Sequence, residues 1–275
     1  MPSANPPRTY IRPRSLLRSK LDRIWRRFAT GLSFFLFGTV GLLLSVVFLP
    51  ALSLFVRQAE RRTQYARCTI AWTFRLFVGI MRGLGLLKYE LLGFEKLNRK
   101  GLVVIANHPS LIDTVFLLGF VQNSIAVVDD ELFRNSFTGA PLRAAGFIRN
   151  DAGATVLADC VAALDAGMNV VIFPEGTRTP RDGMVKLKRG VANIAIRAER
   201  NLTPIIIQCS PRTLMKGEKW WQIPERPPHY SFVVGDDIVA HTFSSDHESP
   251  ALAVRRLTAY LEQYFTTQSP AHAIS

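Results

Sequence analysis

The sequence predicts an α/β fold with a largely parallel β-sheet flanked by helices. From residue 89 onward, short runs of β-branched apolar residues alternate with stretches of helical periodicity, which is the pattern of strand–helix–strand units. A hydrophobic fraction of 48% in 275 residues suffices for a packed core and excludes disorder for most of the chain. The predicted strands are residues 89–93, 102–106, 125–128, 169–173, 203–209 and 230–234. The predicted helices are residues 111–120, 152–166, 191–199 and 250–265.

Positive charge is concentrated in the N-terminal part of the chain. Residues 1–82 carry 14 Lys and Arg against two acids, whereas residues 83–275 carry 20 against 19. Residues 31–56 contain no charged residue, and a helix of that length would cross a bilayer core of about 30 Å. A basic block around an apolar segment is typical of binding to an anionic membrane surface. We therefore expect a phospholipid membrane as a partner and no nucleic acid.

The apolar segment allows two arrangements. Pro50 interrupts it, and arginines flank it on both sides, so the positive-inside rule gives no orientation. It forms either one span or, slightly favoured, the first arm of a monotopic helix pair that dips into one leaflet. Residues 57–84 would form the second arm, although their apolar face also suits an ordinary helix packed on the core. We expect a basic tail at 1–28, a membrane-anchoring helix pair or span at 29–87 and an α/β domain at 88–275.

The three cysteines are far apart in sequence. Cys68, Cys160 and Cys209 have apolar neighbours, form no C-x-x-C motif and have no histidine beside them. This pattern favours buried free thiols in a reducing compartment and predicts no metal site.

A first candidate site follows the predicted strand 102–106, in the sequence N-H-P-S-L-I-D from Asn107 to Asp113. His108 comes two residues after the end of the strand, and Asp113 falls in the opening turns of the next helix. A carboxylate at that position could orient the imidazole, which could then take a proton from a hydroxyl group. The spacing alone is equally compatible with a structural histidine.

A second candidate site, F-P-E-G-T-R-T, begins at the end of the predicted strand 169–173. Gly176 permits a tight turn, Thr177 offers a hydroxyl and Arg178 offers a planar fork that matches phosphate oxygens. Glu175 could hold that arginine or accept a hydrogen bond from a substrate hydroxyl. The basic residues at 186, 188 and 189 precede the next helix, and for Lys186 and Lys188 a solvated loop charge is the favoured interpretation.

Two further blocks stand out, A-G-F-I-R-N-D at residues 145–151 and L-T-P-I-I-I-Q at residues 202–208. With all four blocks, the chain resembles the 1-acylglycerol-3-phosphate acyltransferase family. The resemblance covers about residues 89–208. It implies transfer of a fatty acyl group from acyl-CoA or acyl carrier protein to a lysolipid hydroxyl, most simply 1-acylglycerol-3-phosphate giving phosphatidic acid. No cofactor beyond the acyl donor is implied. It also implies an acyltransferase domain at 88–275, on the cytoplasmic side of the cell inner membrane.

The resemblance assigns roles to individual residues. His108 would be the general base and Asp113 its orienting partner, with direct transfer and no acyl-enzyme. The acceptor would be bound by one loop, and its phosphate by the arginine of that loop. That loop comprises Glu175, Gly176, Thr177 and Arg178. Pro204 would mark a block that helps to shape the substrate pocket.

Two departures from the family pattern concern the acceptor. Arg149, a predicted acceptor-binding residue, comes one place earlier than the family's basic residue, and Asn150 holds the expected place. An acidic run at residues 129–131 lies where related chains often have a lysine. The sequence therefore leaves open an amino-acid-linked or glycosylated lysolipid as the acceptor. A non-catalytic membrane-binding adaptor with the same fold is a further alternative, which the intact reactive residues disfavour.

Overall fold

A computed structural model describes residues 16–135, 137–150, 155–180, 185–244 and 249–268. The first fifteen residues of the predicted basic tail and the predicted helix start at 152–154 lie outside the described residues. The described strands are β1 Lys88–Leu92, β2 Val103–Ala106, β3 Ser124–Asp129, β4 Ile148–Asn150, β5 Asn169–Ile172, β6 Leu202–Ser210 and β7 His229–Val234. The described α-helices are α1 Leu16–Leu43, α2 Leu49–Phe55, α3 Ala59–Gly83, α4 Asp113–Phe120, α5 Asp130–Arg134, α6 Gly139–Ala144, α7 Thr155–Asp165, α8 Gly190–Arg197 and α9 Pro250–Gln268.

The strands form a seven-stranded sheet in the order β1-β7-β6-β2-β5-β3-β4. Neighbouring strands are parallel everywhere except between β6 and β7, which are antiparallel. The predicted α/β class with a largely parallel sheet is confirmed. β2 and β5 are buried along their whole length, which explains their continuous β-branched sequences. The carboxyl ends of β2, β5, β3 and β4 meet at one edge of the sheet, where α/β proteins form their binding sites.

Three short elements were not predicted from the sequence. β4 contains only three residues, two of them exposed and polar, so it lacks the apolar run that marks the other strands. The helices α5 and α6 have five and six residues, which is too short for a helical period to be recognised.

Helical structure continues from Leu16 through Phe55, so the prediction that Pro50 interrupts the apolar segment was wrong. A π-helical turn, Leu44–Phe48, joins α1 to α2, and Pro50 lies in the first turn of α2. Proline is tolerated there because a wider turn relieves the clash of its ring with the preceding carbonyl groups. Among the described residues, Lys20–Phe55 is long and apolar enough to cross a membrane by length and composition, and an 18-residue stretch of it has a mean hydropathy of 2.4.

The N-terminal helices form an antiparallel pair. Phe34 of α1 meets Phe77 of α3 with ring centroids 5.9 Å apart, and Phe37 meets Phe74 at 5.8 Å. α3 also packs on α4, so it belongs to the helical layer on the sheet. The outer face of the long N-terminal helix is apolar and exposed. It includes Leu21, Ile24, Trp25, Phe28, Phe35, Leu43, Val46, Val47, Leu54 and Phe55.

The cysteines differ in their surroundings. Cys160 is buried, Cys209 is half-buried and Cys68 is exposed on α3, so the prediction of three buried thiols was wrong for Cys68. Burial raises the pKa of Cys160 and of Cys209 to about 12 in each case.

Candidate active site

A histidine and an aspartate form a hydrogen-bonded pair at the carboxyl edge of the sheet. His108 follows the end of β2, and its Nδ1 lies 3.0 Å from Oδ2 of Asp113, the first residue of α4. The same Oδ2 accepts the backbone N–H of Ser110 at 2.6 Å. Because Oδ2 is an acceptor, Nδ1 donates and Nε2 of the neutral imidazole is left with its lone pair. The pair therefore holds His108 in the tautomer that a general base requires.

The aspartate of this pair is buried, and the histidine packs on an aromatic ring. Asp113 is fully buried, and the His108 ring stacks on Phe173, with centroids 4.1 Å apart and ring planes at 20°. Burial raises the pKa of the Asp113 carboxyl, and the hydrogen bonds from His108 and Ser110 oppose this rise. These contacts leave the imidazole one fixed orientation, at the end of a buried strand.

Glu175 ties the two motifs to each other. Its Oε1 accepts the backbone N–H of His108 at 3.0 Å and the hydroxyl of Thr179 at 2.8 Å. The backbone N–H of Thr179 in turn donates to the His108 carbonyl at 2.8 Å. Burial raises the pKa of the Glu175 carboxyl, against the hydrogen bonds from Thr179 and His108. The described contacts thus place Glu175 as a support of the histidine loop, a role that the sequence did not suggest.

Arg178 is held by the loop that follows β6. Its Nη1 donates to the carbonyl oxygens of Leu214 at 3.0 Å and Met215 at 2.9 Å. These bonds fix one edge of the planar guanidinium in a half-buried position. A guanidinium fixed in this way is suited to binding an anionic group with little loss of side-chain freedom.

The turn between these residues requires glycine. Gly176 has φ +66°, and a Cβ atom at that position would lie 2.6 Å from both Cε and Nζ of Lys188. Thr177, the next residue, is exposed. The turn therefore brings Lys188, interpreted from the sequence as a solvated loop charge, against the Glu-Gly-Thr-Arg loop.

An open cavity of about 510 Å³ lies at this edge of the sheet. Basic and acidic side chains both line it, together with the candidate histidine. Its polar lining consists of His108, Thr114, Asp129, Glu131, Asn150, Thr177, Arg178 and Lys188. The described residues contain no group of three or more His, Cys, Asp or Glu side chains that could hold a metal ion.

A second, apolar cavity of about 230 Å³ lies between α1, α3, α4 and α6. It shares Thr114, Val128 and Leu132 with the lining of the first cavity. The cavity that contains the candidate base and the apolar cavity thus meet at three residues.

Two of the predicted site residues lie elsewhere. Arg149 points to Asp130, with Nε 3.4 Å from Oδ1, and its guanidinium lies 5.1 Å from the ring centroid of Phe133. Pro204 is buried within β6, in register with Ile105 of β2. Neither residue lines the cavity that contains His108, whereas Asn150, the neighbour of Arg149, does.

Several supporting residues were not identified as functional from the sequence. Asn107 exchanges two hydrogen bonds with the backbone of Ile207, at 2.8 and 2.7 Å, and so ties the end of β2 to β6. The hydroxyl of Ser110 lies 3.0 Å from that of Tyr230. Asn107 lies inside the first motif, so its position in the sequence could have identified it. Tyr230 is 120 residues away from Ser110, and nothing in the sequence around it indicated this contact.

Comparison with known proteins places this site in a family. A model of the family described as Acyltransferase matches residues 88–208, which include both motifs. The 1-acyl-sn-glycerol-3-phosphate acyltransferase of Bacillus subtilis is 32% identical over 136 residues, covering 47% of this chain and 67% of that relative. The chain belongs to the 1-acylglycerol-3-phosphate acyltransferase family. The family resemblance predicted from the sequence is thereby confirmed.

Other family members differ in how much they share with the chain. The 1-acyl-sn-glycerol-3-phosphate acyltransferase of Pseudomonas aeruginosa is 33% identical over 143 residues, which are 49% of this chain and 52% of that relative. The chain thus matches about half the length of this relative. The crystal structure of the 1-acyl-sn-glycerophosphate acyltransferase PlsC from Thermotoga maritima has a TM-score of 0.65 at 23% identity, covering 88% of this chain and 97% of that one. That likeness establishes the fold.

Proposed function

We propose that this protein is an O-acyltransferase that moves a fatty acyl group from an acyl thioester to a hydroxyl of a lysolipid. The proposed acceptor is 1-acylglycerol-3-phosphate, and the product is phosphatidic acid. The observation that carries the proposal is the His108–Asp113 pair at 3.0 Å, whose histidine lines the same cavity as Arg178. The names of the relatives in B. subtilis and P. aeruginosa support the choice of acceptor.

In the proposed reaction, Nε2 of His108 takes the proton of the acceptor hydroxyl. The hydroxyl oxygen attacks the thioester carbonyl carbon, the C–S bond breaks, and the leaving thiolate takes the proton back from His108. Asp113 keeps the imidazole oriented and stabilises the positive charge that forms on it. Arg178 binds the acceptor phosphate, a pairing that its fixed guanidinium favours.

The acyl chains require apolar space beside this chemistry. The apolar cavity of about 230 Å³, which adjoins the catalytic cavity at Thr114, Val128 and Leu132, supports a place for an acyl chain there. It lies against α1, whose exposed face is apolar. We propose that α1 and α2 lie in the membrane, at the cytoplasmic surface of the inner membrane, so that lysolipid reaches the cavity from the lipid phase.

The test uses the full-length protein, purified in detergent and returned to lipid vesicles. It is incubated with 1-acylglycerol-3-phosphate and either acyl-CoA or acyl carrier protein, and phosphatidic acid is measured by mass spectrometry. We expect product with at least one donor, and His108→Ala to lower kcat by about 1,000-fold. Activity that survives His108→Ala would contradict the role of this residue. A wild type that acylates no lysolipid would contradict the function and favour the membrane adaptor.

A second candidate acceptor is an amino-acid-linked lysolipid. Asp129 and Glu131 line the cavity, and their carboxylates would bind an ammonium group. The choice between the acceptors is decided by an assay that compares 1-acylglycerol-3-phosphate, an amino-acid-linked lysolipid and a glycosylated lysolipid. A higher kcat/KM for the amino-acid-linked lipid would establish it as the acceptor.

A further inference from the structure

Lys188 is attached to the Glu-Gly-Thr-Arg loop although it stands thirteen residues beyond Glu175 in the sequence. Its backbone N–H donates to the carbonyl of Pro174 at 2.8 Å, which fixes the position of its Cα beside the loop. Its side chain then passes over Gly176, where the missing Cβ leaves room for Cε and Nζ. The backbone hydrogen bond to Pro174 and the space above Gly176 thus together determine where the ammonium group lies.

Lys188 and Arg178 line the same cavity as the candidate base. The guanidinium supplies a planar pair of donors, and the ammonium supplies a compact charge that can follow the remaining oxygens of a phosphate. Lys186, two residues earlier, is also exposed but does not line this cavity. The difference between the two lysines therefore arises from their position in the fold.

The charges on the cavity wall are unevenly distributed. The carboxylates of Asp129 and Glu131 come from the end of β3 and the start of α5, whereas the two cations come from the segments after β5. A dianionic phosphate is repelled by the first part of the wall and attracted by the second. The distribution therefore favours one position for the phosphate, between Arg178 and Lys188.

We infer that Lys188 is a second phosphate-binding residue, which together with Arg178 holds the phosphate of the acceptor lysolipid. The inference rests on the proposed function, because it concerns how that acceptor is selected. It also gives Gly176 a specific purpose, since any side chain at this position would displace the ammonium group.

The test compares Lys188→Gln, Lys188→Arg and the matched control Lys186→Gln in the full-length protein in vesicles. KM and kcat are measured for 1-acylglycerol-3-phosphate, and KM is measured separately for acyl-CoA and for acyl carrier protein. We expect Lys188→Gln to raise the KM for the acceptor about tenfold and to change kcat less than about twofold, which is the result of losing binding rather than chemistry. Lys188→Arg should restore the KM to within about threefold, and Lys186→Gln should leave both parameters unchanged.

An acceptor KM unchanged in Lys188→Gln overturns the inference. A rise confined to the KM of acyl-CoA also overturns it, because the phosphate at Lys188 would then belong to the donor. Equal losses of kcat/KM for 1-acylglycerol-3-phosphate and for phosphate-free 1-acylglycerol would likewise contradict a phosphate contact. These outcomes differ from a failure of the proposed function, in which the wild type itself makes no product.

Discussion

The N-terminal helix α1 and the catalytic edge of the sheet distribute their polar groups in opposite ways. α1 buries Arg26, Thr30 and Ser33 against the protein and exposes apolar side chains such as Phe28 and Phe35. The catalytic edge buries carboxyl groups among apolar strands. In both regions the buried polar groups form hydrogen bonds, because an unpaired buried polar group costs roughly 1 to 3 kcal/mol. Among the described residues, Oδ1 of Asp113 and Oε2 of Glu175 are the buried oxygens of the site that lack a partner. The difference lies in the outer surface, which on α1 is an exposed apolar face that we propose contacts lipid.

Arg26 illustrates the first region. Its guanidinium donates to the carbonyls of Pro224 at 2.8 Å and Glu225 at 2.7 Å and to Asp22 at 3.0 Å. Pro224 and Glu225 belong to the loop after β6, in which the carbonyls of Leu214 and Met215 hold Arg178. One loop therefore contacts both the apolar N-terminal helix α1 and the candidate phosphate site.

The largest effect is expected at the catalytic edge. Asp113→Asn keeps the size of the side chain but removes the charge that orients His108, so kcat should fall by about 100-fold or more. The measurement is the rate of phosphatidic acid formation under saturating substrates. Thermal unfolding and vesicle binding of the same variant serve as controls and should be close to wild type. A kcat within about threefold of wild type would show that this buried pair is structural.

A smaller effect is expected on the exposed face of α1. Phe35→Lys places a charge among the proposed lipid contacts and should weaken membrane association by roughly 2 to 3 kcal/mol. The measurement is co-flotation with vesicles that contain anionic phospholipid. Ala158→Lys, an exposed change on α7, is the matched control and should float like the wild type. Equal flotation of the two variants would argue against lipid contact at this face.

The smallest effect is expected where the two regions join. Arg26→Gln removes hydrogen bonds to two loop carbonyls and should lower the free energy of unfolding by about 2 kcal/mol. The control is Arg27→Gln, because this neighbour is exposed. Unfolding in detergent is followed by denaturant titration. Matching midpoints for the two variants would mean that the buried arginine contributes little to this junction.

The sequence predicted more of the residues that line the candidate site than of the residues that hold them in place. His108, Gly176, Thr177 and Arg178 stand in short motifs after β-branched strands, and the structure brings all four to one cavity. Arg149, in contrast, does not line this cavity. It stands one residue from Asn150, and successive residues of a strand point to opposite faces, so a shift of one place takes its side chain away from the cavity.

The sequence by itself determined the α/β class, the apolar N-terminal helix, the family and the two motifs, because these depend on local periodicity and on adjacent residues. The tertiary structure decided which charges share the cavity. Lys188 joins it and Lys186 does not, Glu175 supports the histidine loop, and Tyr230 bonds Ser110 from a distant strand. Such placements arise from strand order, a glycine turn and loop contacts, and these depend on contacts between residues distant in sequence.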